Sequence, residues 1–154
     1  MKKVVCLILL VFSALLLPLE YPHPAFAEIK IEKKEVNDFR IQLLNWINQY
    51  RQDKGLNSLI LDPCLNKVAQ KHSEWMDATG TLSHTGKNRS STKQRCIASG
   101  CVCDAETIFF STDVTGQNCF ESWLKSPEHK KIMSGNHTKV GIGISHGYVT
   151  AVYD

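Results

Sequence analysis

The side chains best suited to chemistry in this sequence are His84, Glu106, Glu121 and His129. His129 sits in "SPEHK", where Ser126 has the chemistry of a helix N-cap and Pro127 suits the first helical position. That places His129 at N3. There the unsatisfied N–H groups and the positive end of the helix dipole disfavour an imidazolium. A neutral imidazole follows near pH 7, the form that binds a metal ion or accepts a proton. The bland alternative is a ring that hydrogen-bonds within its own turn. His84 lies in a loop, "TLSHTG", and says little by itself. Glu106 opens a strand-like run that otherwise reads as half buried, where a carboxylate needs a partner or a sheet edge. Glu121 lies off the apolar stripe of its helix, so solvent exposure is its default.

The remaining histidines read as structural. His72 falls on the apolar stripe of a helix, His137 and His146 fall in turns and are expected to be exposed, and His23 precedes the expected cleavage site. No nucleophile stands out. There is no G-x-S-x-G elbow, and a cysteine–histidine dyad would compete with disulfide formation. Beyond Cys6 the cysteines are Cys64, Cys96, Cys101, Cys103 and Cys119, an odd number, so at least one lacks an intramolecular partner. Cys96 with Cys101 or Cys103 would close a small loop, and Cys64 with Cys119 is a plausible long-range bridge. The sharper alternative is a zinc–thiolate site in "CIASGCVC", although the usual spaced cysteine pairs are not duplicated.

The elements that must position these residues begin after an N-terminal segment with its own logic. Lys2 and Lys3 precede an apolar run over residues 4–17, and "AFA" ends at Ala27. That order is a secretory signal peptide cleaved after Ala27, and the run is shorter than the roughly 20 residues of a membrane span. The expectation is a secreted protein with no transmembrane anchor after cleavage, in a compartment that permits disulfides. Residues 28–35 read as a short leader and residues 36–154 as one domain. A formal net charge of +3 without a concentrated basic stripe argues against nucleic acid as a partner.

Helical spacing predicts a first helix over residues 35–54. Asp62 and Pro63 open a second, running to Thr79 and ended by Gly80. Residues 86–100 lack periodicity and read as a long loop. A strand is expected over 106–112, a helix over 117–125, and another after Ser126 ending near Gly135. Strands at 139–145 and 148–153 flank a His146-Gly147 turn. In the first, Val140, Ile142 and Ile144 alternate with Gly141 and Gly143, giving one apolar face and one face where something approaches bare backbone. The class is α+β with an antiparallel sheet.

The order of "LLNWINQYRQDKGLNSLILDPCLNKVAQKHSEWM", "LSHTG", "AETIF", "WLKSPEHKKIM", "VGIG" and "YVTAVY" resembles a bacterial-type CAP domain, also called SCP/TAPS or pathogenesis-related-1-like. The resemblance covers residues 36–154. It implies a three-layer α–β–α sandwich with a small antiparallel sheet and an open cavity lined by two histidines and acidic residues. Carried over by position, the histidines are His84 and His129, and the glutamate of the family's G-E-N motif is Glu106. Glu121 stands nearest to a second family glutamate, and Arg95 and Gly100 fit the intervening loop. Ala105 and Thr107 replace the Gly and Asn of G-E-N, while Glu128, Lys130 and Lys131 depart from the family's pattern around the last histidine.

Some family members hold a divalent ion between the two histidines, so the resemblance implies His84 and His129 as metal ligands and Zn²⁺ as the cofactor. Two imidazoles and a carboxylate fit zinc and leave positions open for water or ligand. The leading expectation is a secreted binding module for a lipid, peptide or cell-surface ligand. The alternatives are a metal-assisted hydrolase with Glu106 as general base, and an extracellular scaffold acting through surface loops such as 85–104.

Overall fold

The structure, a computed structural model, describes residues 33–154. The expected signal peptide, its cleavage after Ala27 and residues 28–32 of the leader lie outside the described residues.

The order of elements is α1 (Lys33–Asp53), β1 (Ile60–Leu61), α2 (Pro63–Thr79), α3 (Thr92–Ala98), β2 (Ala105–Phe110), α4 (Gly116–Lys125), α5 (Pro127–Met133), β3 (Lys139–Ser145) and β4 (Tyr148–Tyr153). α2 has the expected bounds. The Asp62 carboxylate accepts the backbone N–H groups of Cys64 and Leu65, and Gly80 ends the helix with φ of 62°. The left-handed conformation is one glycine adopts without steric cost.

The strands lie in the order β1-β3-β4-β2. β3 pairs antiparallel with β4, and β4 with β2, but β1 runs parallel to β3. The sheet is therefore mixed rather than purely antiparallel. Two-residue β1 is the short extended piece expected within "LNSLILD", but it is too short to show any period that would forecast its parallel pairing.

Helices cover both faces of the sheet, giving the three-layer α–β–α arrangement. On one face Phe39, Leu43 and Ile47 of α1 and Phe120 and Trp123 of α4 pack with Val140, Ile142, Ile144, Val149 and Ala151. On the other, Leu65, Val68 and Ala69 of α2 pack with Val152, and Met76 packs with Ile108 and Tyr148. Gly141 and Gly143 face α2. A Cβ at Gly141 would lie 2.0 Å from the Leu65 carbonyl carbon, and one at Gly143 would lie 2.3 Å from the Gln70 nitrogen. The alternation in β3 is thus a packing device: isoleucines toward α1, bare backbone toward α2.

The stretch 86–100 is not the uninterrupted loop expected. It contains α3, opened by a reciprocal capping box in which Ser91 and Gln94 satisfy each other's backbone N–H groups. Disulfides join Cys64 to Cys101 and Cys96 to Cys103. The first corrects the expected Cys64–Cys119 bridge. Cys64 opens α2 on one face of the sheet, whereas Cys119 is a buried free thiol on α4, on the other face. With the cysteines of "CIASGCVC" oxidised in pairs, the zinc–thiolate alternative falls. His146 is exposed as expected, but His137 is not: its side chain is 9% exposed, packs on Tyr153, and reaches the Asp154 carbonyl from Nδ1 at 2.6 Å.

Candidate functional site

The site is assembled around Glu106, on β2, whose side chain is 2% exposed. Both carboxylate oxygens are taken. His84 Nδ1 donates to Oε1 at 2.9 Å, and the Arg95 guanidinium pairs with Oε2. Burial alone would push this carboxyl's pKa up. The His84 hydrogen bond, the Arg95 charge and nearby His72 outweigh it and hold the group below its ordinary value.

His84 reaches Glu106 because the chain reverses after α2. The Thr81 N–H bonds the Met76 carbonyl, and His72, buried on α2, meets the Ser83 carbonyl from Nε2 at 2.8 Å. That contact makes Nε2 the protonated nitrogen of His72 and anchors the residue before His84. The His72 ring stacks on Trp75 with centroids 5.6 Å apart, and Nε2 lies 3.9 Å from Glu106 Oε1. Burial lowers the His72 pKa, so the ring is neutral. Arg95, on α3, completes the cage: Nη1 donates to the carbonyls of His84 at 3.1 Å and Ser90 at 2.9 Å. With Nδ1–H given to Glu106, His84 keeps its lone pair on Nε2, on a side chain 56% exposed.

His129 comes from the opposite layer. Its backbone N–H bonds the Ser126 hydroxyl at 3.4 Å, the N3 geometry read from the sequence. The half-buried ring meets the Trp123 indole edge-on, with centroids 6.2 Å apart. Burial lowers its pKa, and the proximity of His84 lowers it further, against the opposing charge of Glu128. The two imidazoles thus lie within electrostatic reach of each other, one from each layer. Among the described residues, His72 Nδ1, Arg95 Nε and His129 Nδ1 are buried without a hydrogen-bond partner.

His84 and Glu106 are therefore bonded to each other at the start of β2, and the charge of His84 reaches the His129 ring. Glu121 does not join them: it is exposed on α4 and accepts from Gln117 Nε2 at 2.8 Å. Two contributors escaped the expected site set. Arg95 supplies the counter-charge of Glu106, and His72 fixes the loop. The Ser91–Gln94 spacing was the available signal that Arg95 rides on a helix.

Among the described residues no three His, Cys, Asp or Glu side chains are grouped to hold a metal. His84 and His129 offer ring nitrogens, but Glu106 has both oxygens committed. The donor set falls short of the three or four protein ligands of a zinc centre.

A sequence model described as the cysteine-rich secretory protein family, CAP, matches residues 44–153. No curated protein matches the chain in sequence. Among solved structures, an extracellular Bacillus anthracis protein containing an SCP domain aligns with TM-score 0.71 and 21% identity, over 79% of this chain and 41% of that one. An outer surface protein of Borrelia burgdorferi aligns with TM-score 0.64 and 22% identity, over 77% of this chain and 92% of that one. A cysteine-rich secretory protein of Staphylococcus aureus aligns with TM-score 0.65 and 13% identity, over 79% and 39%. The chain spans about two-fifths of the Bacillus and Staphylococcus proteins. At these identities the likeness is one of fold.

Proposed function

The chain belongs to the CAP family of cysteine-rich secretory proteins, and we propose that it is a secreted binding module that holds its ligand between His84 and His129. The observation that carries this reading is the commitment of Glu106. A general base must meet the substrate or water whose proton it takes, and the Glu106 side chain is only 2% exposed. Here one oxygen orients His84 and the other neutralises Arg95. The carboxylate acts on the imidazole, not on a substrate, which favours binding over hydrolysis.

The ligand-facing groups are His84 Nε2 and the His129 ring. His129 Nδ1 adds a buried polar atom without a protein partner, of the kind that a bound polar group or water satisfies. A lipid headgroup, peptide or cell-surface group would each supply such atoms. A divalent ion held by the two imidazoles would be weakly bound and exchangeable, organising the cleft rather than activating water. Secretion fits the "AFA" segment and the oxidised cysteines. Among the described residues no helix is long and apolar enough to cross a membrane.

Calorimetry with Zn²⁺, comparing wild type with His84→Ala/His129→Ala, tests the reading. Weak or absent zinc binding without peptide cleavage is expected. Sub-micromolar zinc binding lost in the double variant, together with zinc-dependent peptide cleavage, would establish the hydrolase instead.

A further inference from the structure

The sheet has two edges, and the fold treats them differently. In β3 the residues facing away from β4 are Val140, Ile142 and Ile144, because Ser145 and Tyr148 close the two-residue turn as a hydrogen-bonded pair. β1 covers this edge only as far as Val140. Beyond it, side chains finish the ladder. Ile142 N–H donates to Asn66 Oδ1 at 2.8 Å and Ile144 N–H to Gln70 Oε1 at 3.2 Å. Arg40 Nε donates to the Ile142 carbonyl at 2.6 Å and Gln70 Nε2 to the Ile144 carbonyl at 2.8 Å. This edge is sealed against any further strand.

The other edge is β2. Its pairing with β4 turns the backbone groups of Ala105, Thr107 and Phe109 inward, and those of Glu106, Ile108 and Phe110 outward. Trp123 confirms the direction, donating from its indole nitrogen to the Ile108 carbonyl at 2.9 Å. Among the described residues nothing else bonds this edge. Glu106 N–H, Glu106 C=O and Ile108 N–H follow one another along it unpaired, on residues only 5% and 8% exposed. Buried backbone polar groups in native folds find partners. This run begins at the carboxylate that orients His84. His84 bonds the carboxylate at the start of the run from the α2 side, and His129 packs on Trp123, whose indole caps the Ile108 carbonyl at its end.

We infer that the unsealed edge of β2 is the floor of the His84–His129 cleft, and that it takes an extended peptide segment by backbone pairing. A strand laid on this edge supplies a donor or acceptor at the repeat the run presents, with like groups about 7 Å apart. The indole on the Ile108 carbonyl sets an end to the run, so the pairing spans two to three residues of the ligand. The inference deepens the binding-module reading and rests on it for the role of the imidazoles.

The test selects binders to the full chain from a display library of random twelve-residue peptides. The selected peptides should slow amide exchange at Glu106 and Ile108. They should lose about tenfold in affinity when the backbone nitrogen that meets the Glu106 carbonyl is methylated, the equivalent of one hydrogen bond. Ile108→Pro removes an outward N–H without touching the ladder to β4 and should cost a similar factor, whereas Ile108→Ala, which keeps the N–H, should cost much less. N-methylation probes the same edge from the ligand side, so an Ile108→Pro chain that fails to fold leaves the test intact. An empty selection, indifference to N-methylation, or protection elsewhere on the molecule overturns the proposal. Edge protection that survives His84→Ala/His129→Ala upholds the backbone site and overturns the imidazole reading alone.

Discussion

Glu106 shows how a single buried carboxylate is kept charged. Desolvation works against the anion, and the His84 hydrogen bond and Arg95 charge overcome it. The Arg95 side chain is itself only 12% exposed, so the pair exchanges little of its attraction with water. Removing one partner leaves the other charge stranded, which costs more than the pair contributed. Arg95→Met should therefore lower unfolding free energy in urea at pH 7 by roughly 3–5 kcal/mol. The cost should shrink at acid pH, where a stranded Glu106 takes up a proton. An equal cost at both pH values would assign the loss to packing rather than charge. The variant should also loosen the loop, since Arg95 carries the His84 and Ser90 carbonyls on the same guanidinium. Exchange broadening of the His84 ring signals would report it.

At the scale of elements, the layers meet where β3 offers α2 no side chains. Gly143→Ala would drive a Cβ into backbone, the Gln70 nitrogen, which cannot swing aside as a side chain can. We expect a loss of about 3 kcal/mol or more, the upper end of overpacking penalties, read as a fall in the urea midpoint. Full retention of stability would mean that α2 slides on the sheet. This contact was legible in advance because alternation and capping are local signals: β3, β4 and α2 follow from residue spacing, Asp62 and Gly80. α3 was masked by its length and composition, since the seven residues TKQRCIA show no apolar stripe, although Ser91 and Gln94 spell its cap. Disulfide pairing was not legible. It depends on which face of the sheet each helix covers, and Cys119 lies across the sheet from every other described cysteine. His84, Glu106 and His129 stand out by residue type and local position, but only the family resemblance groups them into one site. Nothing local to His84 reveals that β2 carries its partner.

For the whole molecule, the titrating groups with lowered pKa values pull stability in one direction. His72 and His129 lie below their ordinary 6.5, mainly because burial disfavours the imidazolium. The unfolded chain, with ordinary histidines, takes up protons first as pH falls below about 6.5, and folding free energy declines from there. Glu106, Asp77 and Asp154 are carboxyls held below their ordinary values against the cost of burial. Their contribution is full above the unfolded carboxylate range and is lost as pH drops through the folded values. The two phases share a sign, so the urea midpoint should be level above pH 7, ease downward between about 6.5 and 5, and fall more steeply below about 4.5. His72→Gln should flatten the upper phase and leave the lower one in place, because the glutamine has no proton to gain. A midpoint that climbs as pH falls from 7 to 6 would contradict this picture: it would mean that protonated histidines gain partners in the fold faster than burial penalises them.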